Sequence, residues 1–324
     1  AGAERNVAIG DKAGTAITTG NNNTAIGTEA LKSNTTALNN TAIGYASLCT
    51  NSTGAGNTAV GQSALCANTT ASNNTAVGIE SLDANTTGAS NTALGKGSLS
   101  ANTTASNNTS VGFNSLTSNT TGPSNTAVGK DALLNNTVGD QNTAIGLSAL
   151  CANTEGGNNV AVGLNALCKN TTATQNVAVG VYSSRDTTTG AKNTSLGYSS
   201  LRVNSTGACN VAIGNSALDA NTTASENVAV GFESMLSNTT GSNNTAIGRC
   251  TLRANTTAVR NTAVGAQALR DNTDGTLNTG IGVCALMKNT TGAENTALGK
   301  SALLCNTTGG SNVAIGQGTL VGLT

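Results

Sequence analysis

Along the whole chain an aliphatic residue followed by glycine returns at a constant interval. The phrase N-[TV]-[AGS]-[IVL]-G carries it, from Asn6–Gly10, Asn23–Gly27 and Asn40–Gly44 to Asn312–Gly316. The period is 17 residues and the phrase occurs 19 times, which accounts for all but one of the 324 residues. Self-similarity at a fixed period decides the fold class before any single motif does. Slots are numbered here from the asparagine. Slot 2 is Thr or Val, slot 3 is Ala, Ser or Gly, slot 4 is Ile, Val or Leu, and slot 5 is the Gly. Further on, slot 9 is Leu in 16 copies, slot 12 is Asn in 16, slot 13 is Thr or Ser, and slot 15 is Gly or Ala. Such a unit is too short for a helix pair, and β-branched residues between Asn and Gly punctuation describe short strands joined by tight turns. The expected fold is all-β: a parallel β-solenoid, or β-roll, of 19 coils of 17 residues, with residues 1–324 forming one repeat domain without a separate cap or linker.

Strand alternation puts slots 2 and 4 on one face and slot 3 on the other. Because slot 4 is always aliphatic, slots 2 and 4 are expected to point inward against the slot 9 leucine, leaving slot 3 outside. Ala25, Ala42, Ala59 and Ala76 would then form a row of small residues on which another chain packs closely, and they are the candidate subunit contacts. All 15 Lys/Arg and all 15 Asp/Glu fall in slots 6, 7, 10, 11, 14, 16 and 17. Buried charge is costly, so the charge-free slots are assigned to the core and the tight corners. At about 4.8 Å per coil the stack would be roughly 90 Å long. Asn23, Asn40, Asn57 and Asn74 in slot 1, and Asn34, Asn51 and Asn68 in slot 12, would lie above one another as amide ladders. A coil alone is marginal: ordering 17 residues costs about 25 kcal/mol and burying ~850 Å² of apolar surface returns about 21. Stacking between coils has to supply the surplus.

Composition narrows the function. Aromatic residues are 2% and charged residues 9%, the net charge is +0, and there is no His or Trp. Without histidine, and with carboxylates scattered over unrelated slots, no acid–base pair or catalytic triad is visible, so neither an enzyme nor a cofactor site is expected. No basic excess points to nucleic acid, and no apolar run approaches the roughly 20 residues that span a bilayer. The start at Ala1, with no visible signal peptide, reads as a processed product or part of something longer. Cysteine spacing matches no zinc pattern. Cys49 with Cys66, and Cys151 with Cys168, occupy slot 10 in adjacent coils, where stacked Cα atoms about 4.8 Å apart permit a disulfide. Interchain bridges and free thiols are the competing readings, and disulfides would imply an oxidising, extracellular setting. Slot 12 also creates N-x-[ST] sequons in 13 coils, which an inward ladder would make inaccessible. Stacked Arg185 and Arg202, and Arg253 and Arg270, read as solvated surface or as a small anion-facing patch. Tyr45, Phe113, Tyr198 and Phe232 share slot 6, as a flank for sugars or for a partner chain. The coil around Gly180 has Ser184 and Thr187 in place of Leu and Asn and is the expected local bulge or weak point.

The phrases "NVAIG" (6–10 and 210–214) and "NVAVG" (159–163, 176–180 and 227–231) resemble the head repeat of trimeric autotransporter adhesins. The longer form NTAIG followed by AL and NTT is similar to repeats of bacterial, phage and giant-virus fibre proteins. The resemblance implies a left-handed, trimeric β-roll displayed on a cell surface or virion, with a surface or glycan ligand; the adhesins' neck, stalk and membrane barrel are not part of it. The expected function is a structural or adhesive extracellular fibre or filament subunit, with end-to-end polymerisation of coils as a further expectation. One alternative is an ice- or crystal-binding solenoid that uses the Thr rows of slots 13 and 14, although Val138, Glu155 and Asp274 interrupt slot 14. Another is a phage or viral tail-fibre shaft, which shares the architecture and differs in context.

Overall fold

A computed structural model describes residues 2–322. The chain is all-β, with 19 parallel strands of three residues each, one per coil, stacked as a β-solenoid. It divides into two compact units, Ala1–Asn159 and Val160–Thr324. The first carries strands β1 (Val7–Ile9) to β9 (Thr143–Ile145), the second β10 (Val160–Val162) to β19 (Val313–Ile315). Pairing advances by one repeat at a time: Val7, Ala8 and Ile9 lie opposite Thr24, Ala25 and Ile26 in the first unit, as Val160, Ala161 and Val162 lie opposite Val177, Ala178 and Val179 in the second. Every strand is slots 2 to 4 of its repeat.

The rest of each coil is corner, held by hydrogen bonds to the coils above and below. Slot 5 requires glycine: Gly61 has φ +134°, and a Cβ there would lie 2.7 Å from the carbonyl carbon of Gly78 in the next coil. Left-handed backbone recurs at slots 7, 9 and 17, for example at Ser63 (φ 56°), Leu65 (φ 52°) and Asn73 (φ 62°). A left-handed leucine costs roughly 1–2 kcal/mol. Leu65 is fully buried and its N–H donates to the Ser81 carbonyl at 3.1 Å, so burial worth about 1.5–3 kcal/mol outweighs the strain.

The strands face the other way from the expected register. Slot 3 points inward: Ala25 is 1% exposed, and Ala42, Ala59 and Ala76 are 0% exposed. These four alanines are core residues, not an outer row for a second chain. Slots 2 and 4 are half-buried or exposed in every described coil. The reason is volume. A 17-residue coil has a narrow interior, already occupied by the slot 9 leucine and the Ala or Ser of slot 8. Gly280, which stands in slot 3, shows the fit: a Cβ there would be 3.4 Å from Leu269 Cγ and Cδ1, ordinary van der Waals contact. An alanine methyl fills that gap, and a second aliphatic row would not enter it.

The coil around Gly180 does not bulge. Its strand Val177–Val179 pairs in register with Thr194–Leu196, and the Ser184 and Thr188 N–H groups donate to Ser200 and Ser205 in the next coil, both at 2.9 Å.

Candidate functional site

The asparagines form the ladders expected of them, but the amides do more than stack. At slot 1 the backbone N–H of each asparagine donates to the side-chain oxygen of the one a repeat earlier: Asn40 to Asn23 at 3.0 Å, Asn57 to Asn40 at 2.9 Å and Asn74 to Asn57 at 3.0 Å. The Nδ2 then reaches across its own coil to the slot 15 carbonyl, as Asn40 to Gly54 (3.0 Å) and Asn57 to Ala71 (2.9 Å), whereas Asn108 Nδ2 is buried without a partner. Slot 12 donates to the same acceptor, as Asn51 to Gly54 (2.8 Å) and Asn68 to Ala71 (3.0 Å), while Asn68 Nδ2 also donates to Asn51 Oδ1 at 2.8 Å. One carbonyl thus closes these coils by accepting two amides; Asn23 and Asn34 share Ala37 in the same way. The asparagines of the 13 slot 12 sequons are buried and committed to this closure. A third ladder uses the slot 13 hydroxyls, which donate to the slot 13 carbonyl of the next coil, as Thr69 to Thr86 at 3.1 Å.

With slot 3 inside, each unit presents an outward sheet face of Thr or Val at slot 2 and Ile, Val or Leu at slot 4. Ile43, Leu94 and Ile145 are exposed in the first unit, and Leu196, Ile247, Ile281 and Leu298 in the second. No charged residue occupies slots 1 to 5 in any coil. The face measures roughly 500 Å² per unit from strand rise and spacing, and its slot 4 row is the part that is aliphatic in every repeat. Exposed Tyr45, Ile79, Phe113 and Leu147 in the first unit, and Tyr198, Phe232 and Val283 in the second, stand at slot 6, two residues beyond this face in the chain.

Part of the surface charge is paired. Arg185 holds Asp186 at 2.7 Å, Arg202 holds Asp219 at 2.7 Å, Arg253 holds Glu233 at 2.8 Å and Arg270 holds Asp271 at 2.7 Å. The stacked arginines are therefore neutralised along the surface. Lys169 adds a second cation to Asp186 at 2.8 Å. Burial alone would raise the Asp186 carboxyl, but hydrogen bonds from Arg185 and Lys169 hold it below its ordinary range. Arg185 also lies over the Tyr182 ring, 5.8 Å from its centroid, and Tyr182 meets Tyr198 edge-on at 6.1 Å.

Among the candidate cysteines, Cys49 and Cys66 are brought together, with Sγ atoms 2.7 Å apart and both residues half-buried. Cys151 lies in the first unit and Cys168 in the second. Cys209 is exposed. No group of three His, Cys, Asp or Glu able to hold a metal occurs among the described residues, and no helix there is long and apolar enough to cross a membrane. No protein-family model matches this sequence, and no curated protein matches it either.

Proposed function

We propose that the chain is a structural or adhesive extracellular fibre subunit whose copies associate through the outward face of slots 2 and 4. One observation carries this reading: an outward sheet face with Ile, Val or Leu at slot 4 and no charge in any of 19 repeats, although slot 2 beside it is Thr in 13 of them. A solvated β-face normally alternates apolar-in with polar-out. Here an unbroken aliphatic row lies outside, which fits a surface covered by a second copy presenting the same row at the same spacing. The resemblance to adhesin heads favours three copies. In that arrangement the slot 10 and 11 ion pairs and the slot 14 row remain available to a surface or glycan ligand. End-to-end stacking of coils between copies is a further mode, read by electron microscopy as filaments that lengthen with concentration.

The test is the mass of the assembly by light scattering. Three copies are expected for the native chain, and a monomer with unchanged far-UV circular dichroism for Ile43→Lys/Leu94→Lys/Ile145→Lys, because these side chains do not enter the coil interior. A native chain that stays monomeric at about 100 µM, well above the dissociation constants of specific interfaces, overturns the reading. A second reading, ice or crystal binding, draws support from the exposed slot 14 threonines such as Thr53, Thr70 and Thr87. It is weakened by slot 13, whose hydroxyls are spent on the next coil. Thermal hysteresis by the pure protein would favour it over the fibre. A tail-fibre shaft shares the fibre architecture and would differ in the particle that carries it.

A further inference from the structure

Cys49 and Cys66 stand directly above one another in slot 10 of adjacent coils, half-buried, with their sulfurs 2.7 Å apart. The Cys49 thiol also reaches the Cys66 carbonyl at 3.5 Å. Coil spacing sets their Cα atoms about 4.8 Å apart, within the range a disulfide spans, and bond formation would need the sulfurs to close by only about 0.6 Å. The solenoid register therefore holds two thiols in bonding geometry without any rearrangement of the coils. We propose that this pair is a thiol–disulfide exchange site, in which one thiol attacks a small disulfide of the glutathione type and the other resolves the product into a cross-coil bond.

One protein thiolate attacks one sulfur of the small disulfide, forming a mixed disulfide and expelling one small thiolate. The other protein thiolate then attacks the sulfur of the cysteine so modified, forming the Cys49–Cys66 bond and expelling the second. The small disulfide gains two electrons, the two protein thiols lose them, and their two protons leave with the released thiols. Either sulfur can donate in the contact between the thiols, and that contact holds one thiol of the pair below its ordinary range while pushing the other up. The product ties two stacked coils together at their surface, and it forms whether or not copies of the chain associate.

No Lys or Arg lies between Lys32 and Lys96, so trypsin leaves both cysteines in one peptide, 33–96, while peptide 203–249 carries Cys209 as its only cysteine. The native protein, fully reduced, is incubated with oxidised glutathione, alkylated and digested. The expected result is peptide 33–96 lighter by two hydrogens and free of alkyl groups, with Cys209 alkylated or glutathionylated. Peptide 33–96 carrying two alkyl groups, or linked to a second copy of itself, overturns the proposal. Removing the resolving partner should trap the intermediate: Cys49→Ser and Cys66→Ser should each retain glutathione on the remaining cysteine as a stable adduct. A remaining thiol that stays unmodified in both variants refutes the exchange step.

Discussion

Two coils replace the inward alanine of slot 3 with serine, Ser110 in the first unit and Ser195 in the second, and they accommodate the hydroxyl differently. Around Ser110 the wall is unchanged. Ser98 donates to Ser110 Oγ at 2.8 Å, Ser110 donates to the Ser115 carbonyl at 2.7 Å, and the leucines on either side, Leu99 and Leu116, stay fully buried. Around Ser195 the same two slot 8 partners are serines, Ser183 and Ser200, but slot 9 has become Ser184. Ser195 then meets Ser183 at 2.6 Å and Ser184 at 2.8 Å, and Ser183 meets Ser200 at 3.0 Å. In the same coil Thr187 replaces the slot 12 asparagine, and its hydroxyl is buried without a partner. One buried hydroxyl is thus absorbed by a hydrogen-bonded neighbour. Exchanging the leucine as well removes apolar volume that those hydrogen bonds do not replace.

Transplanting the second arrangement into the first should have the largest effect. Leu99→Ser beside Ser110 is expected to cost about 3–4 kcal/mol, the loss of a buried leucine less the gain of one hydrogen bond. It would be read as a lower urea midpoint by far-UV circular dichroism. A change below about 1 kcal/mol would mean that the serine network is as good a core as leucine. The converse change should act with opposite sign. Ser184→Leu/Ser195→Ala rebuilds the regular wall and is expected to stabilise by about 1–3 kcal/mol. Ser184→Leu alone should gain less, because Ser195 loses one of its partners.

The smallest effect separates the two coils by pH. Asp186 sits two residues after Ser184, whereas the matching residue after Leu99 is the uncharged Ala101. Its folded-state pKa lies below the ordinary value, so its contribution is present above the unfolded value of about 3.9 and is lost as pH falls through the folded one. An ion pair of this kind contributes about 0.5–1 kcal/mol. The difference in urea midpoint between the native chain and Asp186→Asn should therefore be constant from pH 7 to about pH 5 and shrink as pH falls below the unfolded value. A difference that does not shrink on acidification would show that packing, not charge, sets the role of Asp186.

Much of this molecule is legible in the repeat because a coil of constant length makes neighbours of residues one period apart. That rule placed Asn57 above Asn40 and Cys66 above Cys49 from spacing alone. It also marked Ser184 and Thr187 as departures, although not how the coil would absorb them. The convergence of slot 1 and slot 12 amides on one slot 15 carbonyl was less visible, since it joins residues 14 and 3 apart within a coil rather than 17 apart. The restriction of slot 15 to Gly or Ala was its only trace.

The period, the parallel register, the ladders and the slots that tolerate charge all follow from the repeat, as consequences of stacking identical units. Which side of the strand faces the interior depends on the folded coil. Alternation separates Ala59 from Thr58 and Val60 but does not say which set is inside, and hydrophobicity favours the wrong set. The volume left beside Leu65 decides it, because the narrow coil admits a methyl group and turns the larger aliphatic residues outward. The same decision that closes the core creates the uncovered apolar face on which the proposed function rests.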